Sequence, residues 1–235
     1  MKIMVINPNA SASMTGHMEE VILDIKRPET EVEVVHLDEG PETLECSYDK
    51  ALAVPHMLEL VRRANEEDYD AVIIAAFCDP GLTAAKEISH ILVLGLEEVT
   101  LHMAAILGSR FAILSMTDVH VAHKYQEVHE YKLSDSLASI RALGLTVAET
   151  DAQPELTKQR GMEAARRAVE EDGAEVIVLG CAGMAGYARE IEEKLEVTVL
   201  DPTSLTFKIC EAMAESGIVH SKRAFYALPP EKLIK

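Results

Sequence analysis

Val176-Ile177-Val178-Leu179-Gly180-Cys181-Ala182-Gly183-Met184 sets a short aliphatic run directly against a loop of small residues that carries a cysteine. Apolar runs of this length, without polar alternation, mark strands buried on both faces of a parallel sheet. Ile3–Ile6, Val72–Ala76 and Phe111–Leu114 read the same way, and Val32–His36, Leu92–Leu94, Leu145–Ala148 and Val197–Leu200 are weaker candidates. Val54–Asn65 and Leu156–Glu171 carry helical periodicity, the second with Arg166 and Arg167 opposite Ala164, Ala165, Ala168 and Val169. Strands alternating with helices predict an α/β fold of Rossmann-like, mainly parallel sheets.

The strands also recur. Lys2–Ile6 matches Arg110–Leu114 at an offset of 108, Asp70–Ile74 matches Ala174–Val178 at 104, and Val93–Gly95 matches Val199–Asp201 at 106. Three strands in the same order at nearly one offset predict two similar lobes related by pseudo-twofold symmetry, with a cleft between them. The expected division is 1–97 plus 203–235 for the first lobe and 98–202 for the second, the last helix returning from Thr203.

Composition narrows the partners. With 22 Lys and Arg against 40 Asp and Glu, the formal charge is −18, which disfavours nucleic acid and an anionic membrane surface. No apolar stretch reaches the roughly 18 residues of a membrane span, and Asn7-Pro8-Asn9 follows the first apolar run too soon for a signal peptide. Cysteines at 46, 78, 181 and 210 form no C-x-x-C pair, so a cytoplasmic protein with reduced thiols is expected.

Open parallel sheets bind ligands at the carboxyl ends of their strands. After the first strand comes Asn7-Pro8-Asn9-Ala10-Ser11-Ala12-Ser13-Met14-Thr15, rich in amides and hydroxyls and without charge. Ser11 or Ser13 suits a helix N-cap. Two asparagines and three hydroxyls exceed what one cap needs, so Asn9 and Ser13 are candidate ligand contacts. A neutral loop suits ring amides or ureido groups better than a dicarboxylate, which calls for Arg or Lys. Thr117, after the strand ending at Leu114, is the counterpart candidate, with a cap for the segment from Asp118 as its other reading.

After Val72–Ala76 the chain reads Phe77-Cys78-Asp79-Pro80-Gly81-Leu82. Asp79 is expected to cap a helix starting at Pro80 and to stand in the binding set, with Cys78 just ahead of a helix N-terminus that lowers its pKa. Cys181 occupies the matching end in the second lobe, where the N–H groups of Ala182 and Gly183 suit an anionic intermediate. Cys46 and Cys210 sit away from strand ends and are expected to pack. Asp118, His120 and His123 make a poor zinc site, and neither a Walker sequence nor G-x-G-x-x-G occurs, so no metal or cofactor is expected. Two thiols across a cleft fit one chemistry well: inverting a carbon acid needs a base on one face and a protonated acid on the other.

Ile6-Asn7-Pro8-Asn9-Ala10-Ser11, Asp79-Pro80-Gly81-Leu82, Leu179–Met184 and Leu200-Asp201-Pro202 resemble the aspartate/glutamate/hydantoin racemase superfamily, in particular its hydantoin and allantoin racemase branch. The resemblance runs end to end. It implies a cofactor-independent two-cysteine racemase of a five-membered cyclic ureide, acting as a homo-oligomer, with Cys181 as one base. It also sets the other cysteine directly after the strand, where this chain has Ala76, so Cys78 departs from the pattern. A single-thiol decarboxylase or isomerase of small carboxylates, resembling arylmalonate decarboxylase or maleate isomerase, is the alternative. An aspartate or glutamate racemase and a two-lobed binding protein without catalysis are further ones.

Overall fold

The computed structural model describes residues 1–181, Met184 and residues 186–230, with Asp151 by its backbone alone. The first half runs β1 (Lys2–Asn7), α1 (Ala12–Ile25), β2 (Glu31–His36), α2 (Ser47–Glu66), β3 (Ala71–Ile74), α3 (Leu82–Ile88), β4 (Leu92–Gly95) and α4 (Leu96–Leu107). The second runs β5 (Phe111–Ser115), α5 (Asp118–Glu130), β6 (Leu137–Ala142), α6 (Val147–Ala152), α7 (Pro154–Glu170), β7 (Val176–Leu179), α8 (Ala188–Leu195), β8 (Thr198–Leu200) and α9 (Pro202–Glu215). Each half builds a four-stranded parallel sheet, in the orders β2-β1-β3-β4 and β6-β5-β7-β8. The two sheets are topological copies, the two pseudo-symmetric lobes that the repeat predicts. Among the described residues no helix is long and apolar enough to cross a membrane.

The continuous apolar runs resolve into alternation once folded. Ile3, Val5, Ile73, Phe111, Ile113, Val176 and Val178 enter one core that joins the two sheets and includes Leu101 and Ala104 of α4 and Phe207 and Cys210 of α9. Their neighbours turn outward: Met4, Ile6, Val72 and Ile74 meet α2 and α3, while Ala112, Leu114, Ile177 and Leu179 meet α7 and α8. Both faces of every central strand are therefore covered, and polar residues enter them only at the strand ends, as Lys2 and Asn7 in β1 and Ser115 in β5. From the second sheet the chain returns, through α9, to pack on α1, α4, β3 and β4 of the first. Glu211 of α9 fastens that return, accepting from Thr30 Oγ1 (2.7 Å) and the Arg27 N–H (3.0 Å) beyond α1.

One strand falls elsewhere than expected. Leu145–Ala148 is not a strand; β6 is Leu137–Ala142, and residue 147 already opens α6. Thr146 caps α6 through the Glu149 N–H while the Glu149 carboxylate accepts from the Thr146 N–H, a reciprocal box written in the sequence as Thr-x-x-Glu. At the edge of its sheet, β6 is mostly half-buried, so it lacks the apolar run that marks the inner strands. Helix α2 starts seven residues before Val54 and runs through Pro55, with the Asp49 carboxylate accepting from the Glu45 and Cys46 N–H groups at its head.

Candidate active site

The carboxyl ends of the inner strands of both sheets open on one cleft of about 650 Å³, part of it open to solvent. Asn7 and Asn9 after β1, Ala75 to Cys78 after β3, Met116 after β5, and Gly180 and Cys181 after β7 all line it. Helices α2 and α5 close the side with Lys50, His120, His123, Lys124 and Glu127. Met14, Met18, Leu44 and Val147 give the cleft an apolar flank.

Strand register fixes how the cysteines correspond. Ile3 pairs with Ala71 and Phe111 with Val176, so the β3 and β7 ladders are equivalent at an offset of 105, one more than the sequence match suggests. At that offset Ala76, not Cys78, is the counterpart of Cys181. Cys78 nonetheless reaches the same cleft, because the chain doubles back at once: the N–H groups of Cys78 and Asp79 both donate to the Ala76 carbonyl, at 2.8 and 3.1 Å. Asp79 pays for this turn with a positive φ of 40°.

The Asp79 carboxylate then does something other than the expected cap. Helix α3 begins at Leu82, with Gly81 before it, so Pro80 is not its first residue. Asp79 instead accepts from the Glu97 and Glu98 N–H groups at the head of α4 (3.1 and 2.7 Å) and from the Tyr131 hydroxyl (2.7 Å). Burial pushes the carboxyl up to about 6 against those three donors. Gly95 makes the approach feasible, since a Cβ there would lie 2.4 Å from the carboxylate. Asp201 plays the matching part in the second lobe, capping α9 through the Thr203 N–H (2.9 Å) and holding the Gly186 N–H (2.8 Å). One carboxylate thus ties each cysteine-bearing loop to the helix after the next strand. Asp79→Asn retains one acceptor oxygen and turns an amide N–H toward at least one of the three donors, so thermal unfolding should show a loss of about 1–2 kcal/mol; an unchanged melting curve would contradict this anchor.

Behind Cys78 lies a buried ion cluster. Lys124 Nζ donates to the Phe77 carbonyl, to Glu97 Oε1 (2.8 Å) and to Glu127 Oε2 (2.6 Å), and Lys50 Nζ donates to Glu127 Oε1 (2.5 Å). Burial pushes the Glu97 carboxyl up to about 8, although Lys124 pulls it down. The Cys78 thiol is pushed up to about 12 by burial, with Lys124 and Lys50 working against it. The expected depression by a helix N-terminus is therefore outweighed: α3 starts four residues on, and desolvation dominates.

The profile of the Asp/Glu/hydantoin racemase family matches residues 3–210. The chain belongs to that family. It is 36% identical over 233 residues to the hydantoin racemase of Paenarthrobacter aurescens, 99% of each chain being covered. It is 34% identical to the hydantoin racemase of Pseudomonas sp. (strain NS671), over 99% of this chain and 93% of the other. An allantoin racemase from Klebsiella pneumoniae superposes with a TM-score of 0.95 at 32% identity, over 100% of this chain and 96% of the other. Arylmalonate decarboxylase, at 18% identity and a TM-score of 0.66, shares the fold alone. With the family goes the enzyme class: this chain is an isomerase of the racemase type.

Of the residues singled out in the racemase sequence, Cys78, Cys181 and Asn9 line the cleft together. Asn9 Oδ1 accepts from the Ser11 N–H (2.9 Å), and Ser11 supplies the N-cap of α1. Ser13 is exposed on the first turn of α1, outside the lining. Thr117 stands at the N-cap of α5 with its hydroxyl 2.7 Å from His120 Nδ1, also outside the lining, and Asp79 borders a second, more polar cavity behind Cys78. Ala182 and Gly183 lie outside the described residues. Cys210 is fully buried in the core and Cys46 half-buried at the head of α2. Among the described residues no three His, Cys, Asp or Glu side chains converge as metal ligands.

Two features escaped the sequence reading. The site is not free of cations, since α2 and α5 bring Lys50 and Lys124, each paired with a carboxylate. Asn7 was passed over in favour of Asn9. Its Nδ2 donates to Thr15 Oγ1 (3.0 Å), which fixes the amide and leaves Oδ1 buried with no hydrogen-bond partner among the described residues.

Proposed function

We propose that this chain racemises 5-substituted hydantoins or allantoin without a cofactor, by proton transfer between Cys181 and Cys78. The observation that carries the reading is that a thiol from each lobe lines one cleft, which Asn7 and Asn9 also line. Side-chain amides both donate and accept, so they suit the ring N–H and C=O groups of a cyclic ureide. The C5 substituent lies along Met14, Met18, Leu44 and Met116, whose adaptable side chains favour apolar groups.

For one enantiomer the Cys181 thiolate takes the C5 proton, and the C–H electron pair moves onto the adjacent carbonyl oxygen. The thiol of Cys78 then gives its proton to the opposite face, regenerating the carbonyl and leaving the inverted carbon. Cys181 ends as thiol and Cys78 as thiolate, the state from which the other enantiomer reacts. Solvent exchange resets the pair. Backbone N–H groups of the Cys181–Gly183 segment are the proposed donors to the developing oxyanion, with Asn9 steadying the loop opposite.

The register supports a second reading, since Ala76 stands where a symmetric second thiol is due. A chain working with Cys181 alone exchanges or decarboxylates rather than inverts. NMR in D2O on single enantiomers of allantoin and several 5-substituted hydantoins, with an enzyme-free control, separates the two. Deuterium entry with loss of optical activity is expected. Entry with retained configuration would leave one working base, and no enzyme-dependent entry on any ureide would defeat the proposal.

A further inference from the structure

Cys78 is held from behind by one ammonium. Lys124 is 3% exposed and has three protons to give, and the Phe77 carbonyl, Glu97 and Glu127 take them all. None is left for a substrate, so any part Lys124 plays in turnover runs through the peptide and the thiol beside it. Anchoring one carbonyl needs only a neutral donor; the ion pairs with Glu97 and Glu127 instead keep a full positive charge buried beside the Cys78 thiol.

The charged and titratable groups around Cys78 come from every element packed on it. Lys50 reaches in from α2, Glu97 from α4, and His123, Lys124 and Glu127 from α5, with Asp79 next in the chain. The lysines favour the thiolate and the glutamates oppose it. Two-base inversion needs Cys78 in both forms, and its burial alone would hold it as the thiol.

We propose that Lys124 is the positioning residue of the second base: it fixes the Cys78 loop through the Phe77 carbonyl and supplies the positive charge that makes the thiolate accessible, against the opposing charge of Glu97. This rests on Cys78 being the second base, and its test does not use turnover. In the full chain carrying Cys181→Ala, alkylation of residue 78 by iodoacetamide is followed by peptide mass spectrometry from pH 6 to 10. Only the thiolate reacts, so below its pKa the rate at a given pH changes tenfold per unit of pKa.

Lys124→Met should slow alkylation about tenfold at every pH. Glu97→Gln, which keeps the side chain's size and its acceptor to Lys124, should match the parent at pH 6, where Glu97 carries its proton, and exceed it several-fold above pH 8. A merely structural network gives a different result: loosening the loop exposes Cys78 and speeds both variants together. That outcome, or unchanged rates in both, overturns the proposal. If Lys124→Met does not fold, the pH-dependent divergence of Glu97→Gln decides alone. Should Cys78→Ala racemise at the parental rate, the two-base reading fails while the electrostatic result stands on its own.

Discussion

Cys181→Ala should abolish racemisation of both enantiomers, while Cys78→Ala abolishes it just as completely and leaves a different residue of activity. A positioned acid or base contributes roughly 10²- to 10⁴-fold, and here each thiol must serve in every inversion, as base for one enantiomer and acid for the other. Loss of either therefore stops both directions, as an equilibrium constant of one requires. Hydrogen exchange at C5 is less demanding, because one thiolate can remove a proton and return a deuteron on the same face. The Cys78→Ala chain should thus wash deuterium into one enantiomer with retention, and the Cys181→Ala chain into the other. The second should be much the slower, because burial holds the Cys78 thiol near 12 and little thiolate is present at neutral pH. Polarimetry and proton NMR on the same samples read both quantities. Full inversion by either variant removes that cysteine from the mechanism, and exchange of the same enantiomer by both removes the opposed geometry.

Legibility in the sequence followed burial. The inner strands β1, β3, β5 and β7 are apolar on both faces between their ends, so their runs and their repeat stand out, and with them the two-lobed plan. Edge strand β6 carries Ser139 and Arg141 on half-buried positions and left no such run, whereas the Thr146–Glu149 box was there to be read. Cys78 and Cys181 were found because a strand end is a position in sequence as well as in space. The ion cluster was not, because Lys50, Glu97 and Lys124 lie on three helices that only tertiary packing brings together. Asp79 shows the same limit: Asp-Pro-Gly signals a local cap, but its acceptors serve α4, 18 residues on, through a space that Gly95 leaves open. The family resemblance had already pointed to Ala76 as the counterpart of Cys181, whereas the repeat offset of 104, one short of the strand register, did not.

Gly180→Ala should be the most damaging glycine-to-alanine change among the described residues. Gly180 directly follows β7 beside β5 and donates its N–H to the Leu114 carbonyl at 2.8 Å. A Cβ there would sit 2.3 Å from that carbonyl oxygen and 2.9 Å from Ile113 Cγ2. The obstacle is backbone in the centre of a sheet, which cannot swing aside as a side-chain end does. Relief requires parting the two strands, which loses the hydrogen bond and disturbs packing on both faces, at a cost of about 2–4 kcal/mol. For a chain of this size that corresponds to roughly 4–16 °C in melting temperature. Activity should fall further than stability, since the displaced residue precedes Cys181 and a shift of about 1 Å at a reacting group costs on the order of 10²-fold. Gly16→Ala is the control: it lies inside α1 with nothing within 4 Å of the added methyl, and should gain about 0.5–1 kcal/mol with turnover unchanged. If both variants melt and turn over alike, the close approach of β7 to β5 is not what sets Cys181 in place.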